Sequence, residues 1–162
     1  MLSPITIPEA TPARKVKGYR MPETRENLVS WGFVEQQMSG SRHYWISTTF
    51  PDGRPHVVPV WGLWHENRFH FEGSLQTAWG QNILKNPQIA VHLPDANMVV
   101  ILEGTAHILQ DDEFDEDAWN FLDTTFQKKY QVDKGSPYIY VQPKRVLAWD
   151  GEALTTMTRW VF

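Results

Sequence analysis

Residues 48–64 read TTFPDGRPHVVPVWGLW, and this stretch decides the fold. Pro51-Asp52-Gly53 is a turn signal, because proline presets one turn dihedral and glycine tolerates a positive φ. Ahead of it, Tyr44, Ile46 and Thr48 alternate with Trp45, Ser47 and Thr49, so one strand enters the turn. Arg54 to Gly62 returns as its hairpin partner. The returning strand carries Pro55 and Pro59, neither of which has an N–H to donate, so it cannot be paired regularly along both edges. Parity puts Arg54, His56, Val58 and Val60 on one face and Val57 and Trp61 on the other. Two readings stand side by side: a bulged strand at the rim of a barrel, or free backbone facing a planar heteroaromatic ring.

The remaining segments fit around this hairpin. Leu28, Trp31, Val34 and Met38 recur at three- and four-residue steps and predict a helix near 27–39, stopped by Gly40. Residues 63–72 read as a strand pair broken at His65-Glu66-Asn67. Thr77 to Asn86 reads as a short helix, with Thr77 at its N-cap and Asn86-Pro87 as its stop. Ile89–Leu93 and Met98–Leu109 follow as strands joined by Pro94-Asp95-Ala96-Asn97. A third helix is expected over 111–130. Phe114, Ala118, Phe121, Leu122 and Thr125 form one face, and Lys128 and Lys129 complement the dipole at its end. Tyr138–Ala148 and Leu154–Val161 complete the strands. The expected fold is α+β, mainly β: a split antiparallel β-barrel with two or three peripheral helices. Residues 1–22, with four prolines and the basic cluster Arg14, Lys15, Lys17 and Arg20, read as an extended N-terminal arm, either a solvated tail or a ligand contact. Residues 23–162 read as one domain.

Composition narrows the function classes. The 162 residues carry a net charge of −4, with a pI near 5.8, which is not the footprint of a nucleic-acid binder. With no cysteine, disulfides, thiolate metal sites and a thiol nucleophile are excluded. No apolar run reaches the length of a membrane span, and prolines with Glu9 interrupt the segment where a signal peptide needs an apolar core. The expectation is a soluble, cytoplasmic protein.

The search for side-chain catalysts comes back empty. The six histidines show neither HxH nor HExxH spacing, so a metal centre is not expected. GxSxG, GxGxxG and GxxxxGK[ST] are absent. The acidic run Asp111 to Asp117 is explained by the solvated first turns of a helix. A chain without an evident acid, base or nucleophile is suited to borrowing its chemistry from a cofactor.

Taken together, Tyr44-Trp45, Asp52 to His56, Pro59 to Gly62, Asn82-Ile83 with Pro87, Val99 to Ala106, and Thr158-Arg159-Trp160 with Phe162 resemble the flavin- and deazaflavin-dependent split barrels. Their best-known members are the pyridoxamine 5′-phosphate oxidases, and the resemblance spans roughly 28–162. It implies a homodimer in which the cofactor ring rests against the Pro-Val-Trp strand, in a cleft between subunits. It also implies an oxidoreductase acting on a small organic substrate, with FMN as cofactor or a deazaflavin coenzyme as the alternative. The cofactor-binding residues it points to are Arg54, His56, Val58, Pro59, Val60, Trp61, Ser74, Thr77, Trp79, Gln81, Asn82, Arg159 and Trp160. No catalytic residue is assigned.

The sequence departs from the pattern at the phosphate. Where a Thr, an Arg and a Lys are usual, Gly73, Ala78 and Trp79 stand, with Glu72 beside them. Losing two charge-assisted hydrogen bonds costs about 3–6 kcal/mol. That moves a sub-micromolar site to about millimolar unless Arg54, Arg159 or the basic arm compensates. The alternative function is therefore a non-catalytic ligand-binding or carrier split-barrel protein that has lost its phosphate clamp, and no cofactor is the third cofactor possibility.

Overall fold

The computed structural model describes residues 2–109, 116–133, 135, 137–151 and 154–162. In chain order the elements are β1 (Thr11–Pro12), α1 (Trp31–Gly40), β2 (Tyr44–Thr49), β3 (Pro55–Val60), β4 (Leu63–His65) and β5 (Arg68–Glu72). They continue with α2 (Ala78–Lys85), β6 (Gln88–His92), β7 (Met98–Leu109), α3 (Glu116–Tyr130), β8 (Tyr138–Asp150) and β9 (Thr158–Val161). The expected mainly-β split barrel is what forms.

The barrel is split by β8. Its first half, Tyr138–Val141, pairs with β5, while Arg145–Ala148 pairs with β9; β7 runs along both halves. The break falls where Glu103 faces Arg145 but Gly104 faces Pro143, so Lys144 is an extra residue on β8. Pro143 has no donor for a regular ladder. Gly104 permits the close approach this needs, since a Cβ there would lie 2.2 Å from the Gln142 carbonyl. From β8 the sheet runs through β7, β6 and β2 to β3 in one direction and through β9 to β1 in the other. All pairings are antiparallel. β3 and β4 are joined by Trp61-Gly62 without pairing, so the sheet does not close.

Strand alternation fills the interior. Tyr44, Ile46, Phe69, Phe71, Val91, Leu102, Val141, Val146 and Trp160 face inward and are buried. Each such side chain contributes roughly 1.5–3 kcal/mol by leaving water. Val34 and Met38 of α1 and Trp79 and Ile83 of α2 join the same core. α3 packs outside, over Leu63 and Tyr138, through Leu122, Phe126 and Tyr130.

The opposite parity makes a second face with two registered rows. One runs Pro59, Trp45, His92, Ile101, Leu147, Arg159; the other Val57, Ser47, Ala90, Glu103, Arg145, Val161. Val57 and Val161 are 48% and 56% exposed. The described helices direct their buried apolar residues elsewhere.

Two expectations need correcting, and a third lies outside the described residues. The first helix begins at Trp31 rather than near residue 27, because the Val29 N–H donates to Thr158 Oγ1 and holds the chain extended up to Ser30. Residues 154–156 form a 3₁₀ turn rather than the start of the last strand, closed by Thr156 Oγ1 on the backbone of Asp150. The start of the third helix at 111, with Asp111, Asp112 and Phe114, lies outside the described residues.

The bend at Gly104 is open to test. Gly104→Ala should lower unfolding stability by about 2 kcal/mol or more, since backbone rather than a flexible side chain must yield. Gly40→Ala, where nothing lies within 4 Å of the added methyl, should change it by no more than about 1 kcal/mol. Urea unfolding of the two variants makes the comparison.

Candidate functional site

β3 is a sheet edge, hydrogen-bonded to β2 alone. Pro55 and Pro59 share a parity, so their missing donors fall together on one side of the strand, and only a strand with one neighbour tolerates this. His56, Val58 and Val60 turn partly inward, while Val57 and Pro59 are exposed. Trp61, 45% exposed, stacks on Tyr130 with ring centroids 4.9 Å apart and planes 10° from parallel. His43, Pro59, Val60 and Trp61 line a shallow concavity of about 280 Å³ here. A groove of about 390 Å³ follows the neighbouring strands, lined among others by Ser47, Thr49, Pro55, Gln88 and Lys144.

The corner after Trp61 is pinned from α3. The Gly62 N–H donates to Tyr130 Oη at 3.0 Å, and that hydroxyl donates in turn to the carbonyls of Gly62 or Arg42, each at 2.8 Å. Lys129 Nζ donates to Tyr44 Oη at 2.9 Å and to the Gly62 carbonyl at 3.0 Å. Gly62 must be glycine, because a Cβ would lie 2.4 Å from the Phe69 ring. These partners of Lys129 are neutral oxygens, and burial, with the nearby Arg42 cation, pulls its pKa down to about 8. Burial pushes the Tyr44 hydroxyl far above the ordinary phenol range, and it raises Tyr130 as well. Sequence reading missed this cluster: Lys129 reads only as a cation complementing the helix dipole, and nothing in its spacing reveals the burial.

The start of α2 is closed on itself. Thr77 Oγ1 accepts from the Gly80 N–H at 3.1 Å and donates to the Ser74 carbonyl at 2.8 Å. Ser74 Oγ accepts from the Gln76 N–H, and Gln81 Nε2 donates to the Leu75 carbonyl at 2.8 Å. Asn82 is buried and donates to Thr48 Oγ1 at 3.0 Å. Trp79 is 8% exposed, packed on Phe71 and directly beneath Gly73, where a Cβ would meet the indole at 2.9 Å.

The other candidates are dispersed. Arg54 pairs with Asp52 at 2.8 Å and lies over the Phe50 ring. Trp160 is 1% exposed and packs edge-on against Trp31, so in this chain it is core. Arg159 shares an outer row with Pro59 but stands at its far end, five strand spacings or about 24 Å along the sheet. His56 Nε2 and Arg159 Nε are buried without a hydrogen-bond partner among the described residues. Among those residues no three His, Asp or Glu side chains converge as a metal site, and no helix is long and apolar enough to cross a membrane.

A flavin-type cofactor thus meets two different environments. The free edge of β3 with the Trp61 corner suits a planar ring. The α2 turn does not suit a phosphate, because it carries no cation, and Thr77, Ser74 and Gln81 already bond within it.

Two measurements follow. Because folded Lys129 gives up its proton near pH 8 while the unfolded side chain holds it to about 10.5, the unfolded chain binds the extra proton between them. Raising pH through that window therefore favours the fold. The neutral amine still donates both bonds, and the raised Tyr44 opposes the gain only above about pH 10, where the unfolded phenol ionises. The urea midpoint of the wild type should rise between pH 8 and 10, and in Lys129→Met that rise should vanish. Separately, Trp79→Lys should cost about 3 kcal/mol or more of stability in a thermal melt, through a cavity and a buried unpaired charge.

Comparison with known proteins agrees with this architecture. A family profile described as pyridoxamine 5′-phosphate oxidase matches residues 32–150. No curated protein sequence matches. Among solved structures, a conserved hypothetical protein of Mycobacterium tuberculosis aligns with a TM-score of 0.64 at 18% identity, over 79% of this chain and 89% of that one. A pyridoxamine 5′-phosphate oxidase-related, FMN-binding protein of Nostoc punctiforme aligns at 0.51 and 15%, over 74% and 79%. A protein titled F420 reductase aligns at 0.54 and 20%, over 69% and 94%. At these identities the structural likeness speaks for the fold alone. With its profile match covering most of the split barrel, the chain belongs to the pyridoxamine 5′-phosphate oxidase family.

Proposed function

We propose that this protein is a homodimeric oxidoreductase that holds a flavin- or deazaflavin-type ring against the free edge of β3 and acts on a small organic substrate. The observation that carries the reading is the Pro59-Val60-Trp61-Gly62 corner. There a half-paired strand and an exposed indole meet a concavity, and Tyr130 and Lys129 hold the backbone in place. Such a ring, when bound, supplies the hydride or electrons. The protein's part is to position ring and substrate and to exclude water, which agrees with a chain that offers no acid, base or nucleophile constellation.

The dimer belongs to the same reading. Val57, Pro59, Trp45, Ile101, Leu147 and Val161 make an outer face that a monomer would leave partly bare. A two-fold axis through that face would set the Arg159 end of one copy over the Pro59 end of the other. That would bring a cation with an unsatisfied Nε toward the ring site.

A second reading, a non-catalytic carrier of the same fold, is favoured by one observation, the self-bonded and cation-free turn before α2. The colour of the purified protein, with mass spectrometry of whatever it releases, separates the two. The expected result is a yellow protein releasing a flavin or deazaflavin; a colourless protein that neither binds such a ring nor turns over with one sinks the enzyme reading. Light scattering should give a dimer at micromolar concentration. Val57→Lys should weaken the dimer by about tenfold or more while changing fold stability by less than about 1 kcal/mol.

A further inference from the structure

We infer that this chain recognises its planar ligand by the ring alone and has no phosphate-monoester subsite at the start of α2. The inference rests on the ring-binding reading above and deepens it. It assigns the ligand class as a tricyclic ring whose affinity does not depend on a terminal phosphate at that turn.

Three independent observations carry it. The first concerns donors. In residues 74–81 Thr77, Ser74 and Gln81 each bond within the turn, and none of the eight residues is cationic. Thr77 Oγ1 is used twice, Ser74 Oγ holds the Gln76 N–H, and Gln81 Nε2 holds the Leu75 carbonyl. The N–H groups of Gly80 and Gln81 go to the Thr77 side chain and carbonyl. Ala78 and Trp79 supply the amides left in the first turn, and both are neutral.

The second concerns charge. A phosphate monoester carries about 1.5–2 negative charges and is held by cations or by many converging amides. Position 78 is alanine and position 79 tryptophan, while Arg54 is already paired with Asp52. The charged side chain next to the turn is Glu72, whose carboxylate accepts from the Gly135 N–H. A fixed carboxylate beside a phosphate is repulsive, so it acts against that ligand rather than merely failing to help it.

The third concerns space. The Trp79 indole lies beneath Gly73, and a single added methyl there would meet it at 2.9 Å. Gly73 itself sits at a φ of +144°, so the turn is shaped around the indole. Trp79 belongs to the barrel core with Phe71 and Ile83 and cannot vacate this volume without opening a cavity.

Two titrations on the full-length protein test this. In the first, riboflavin and FMN are titrated separately by quenching of their fluorescence. The expected dissociation constants agree within about threefold; FMN binding more than about tenfold tighter, worth about 1.4 kcal/mol, overturns the inference. In the second, inorganic phosphate is added while the backbone amide resonances of residues 76–81 are followed. No saturable movement is expected, and a saturable shift of the Ala78 and Trp79 amides overturns the inference whether or not any ring binds. If both rings fail to bind while phosphate leaves these amides unmoved, the ring-binding reading falls and the closed turn stands. Ala78→Arg, at an exposed position that leaves the core intact, should raise the preference for FMN over riboflavin by about tenfold.

Discussion

Everything in this barrel depends on one strand being unable to pair evenly along its length. Pro143 lacks a donor and Gly104 lacks a Cβ, so β8 changes neighbours midway, from β5 to β9, with Lys144 left over as a bulge. That change wraps the sheet around Phe69, Val141 and Leu102 and leaves the two outer rows running from Pro59 and Val57 toward β9. It also fixes where the sheet ends. β3 is an edge because it bonds to β2 alone, and the Trp61-Gly62 corner carries the chain on to β4 without pairing. A continuous ladder along β8 would give a flatter sheet with no such corner, and therefore no candidate site.

Much of this was legible in the sequence because it is encoded locally. The alternation of Tyr44, Ile46 and Thr48, the Pro-Asp-Gly turn, and the paired prolines of β3 each carry their meaning within a few residues. Thr77 as the cap of α2 was legible for the same reason. What stayed hidden depends on contacts between distant segments. Trp31 begins α1 because Thr158, far along the chain, holds Val29 extended. Lys129 is a half-buried cation because α3 lands on the corner at Gly62, and no periodicity within α3 reveals that landing. Trp160 is buried edge-on against Trp31, a contact its Thr158-Arg159-Trp160 motif does not reveal.

The two ends of β3 differ electrostatically. Near α2 the groups in reach are neutral amides and hydroxyls with Glu72 beside them. Near Gly62 the nearby groups are Lys129, with its proton held loosely, and Arg42, whose guanidinium caps the Lys129 carbonyl. A ligand laid along β3 therefore meets neutral-to-negative surroundings at one end and cationic ones at the other.

Magnitudes then tie ligand binding to dimerisation. A tricyclic ring buries roughly 250 Å² of apolar surface if both faces are covered, comparable to the largest aromatic side chains. At about 25 cal/mol per Å² this is about 6 kcal/mol, which lies between millimolar and micromolar affinity. Resting on β3 and Trp61 alone covers one face and halves it, to about 3 kcal/mol, which is weaker than millimolar. With no cation at Ala78 or Trp79, the α2 turn cannot supply the difference. On the proposed reading a second copy supplies it, through the outer face that carries the half-buried Trp45, Ile101 and Leu147. On that reading ring affinity and dimer affinity are coupled quantities, and weakening either one weakens the other.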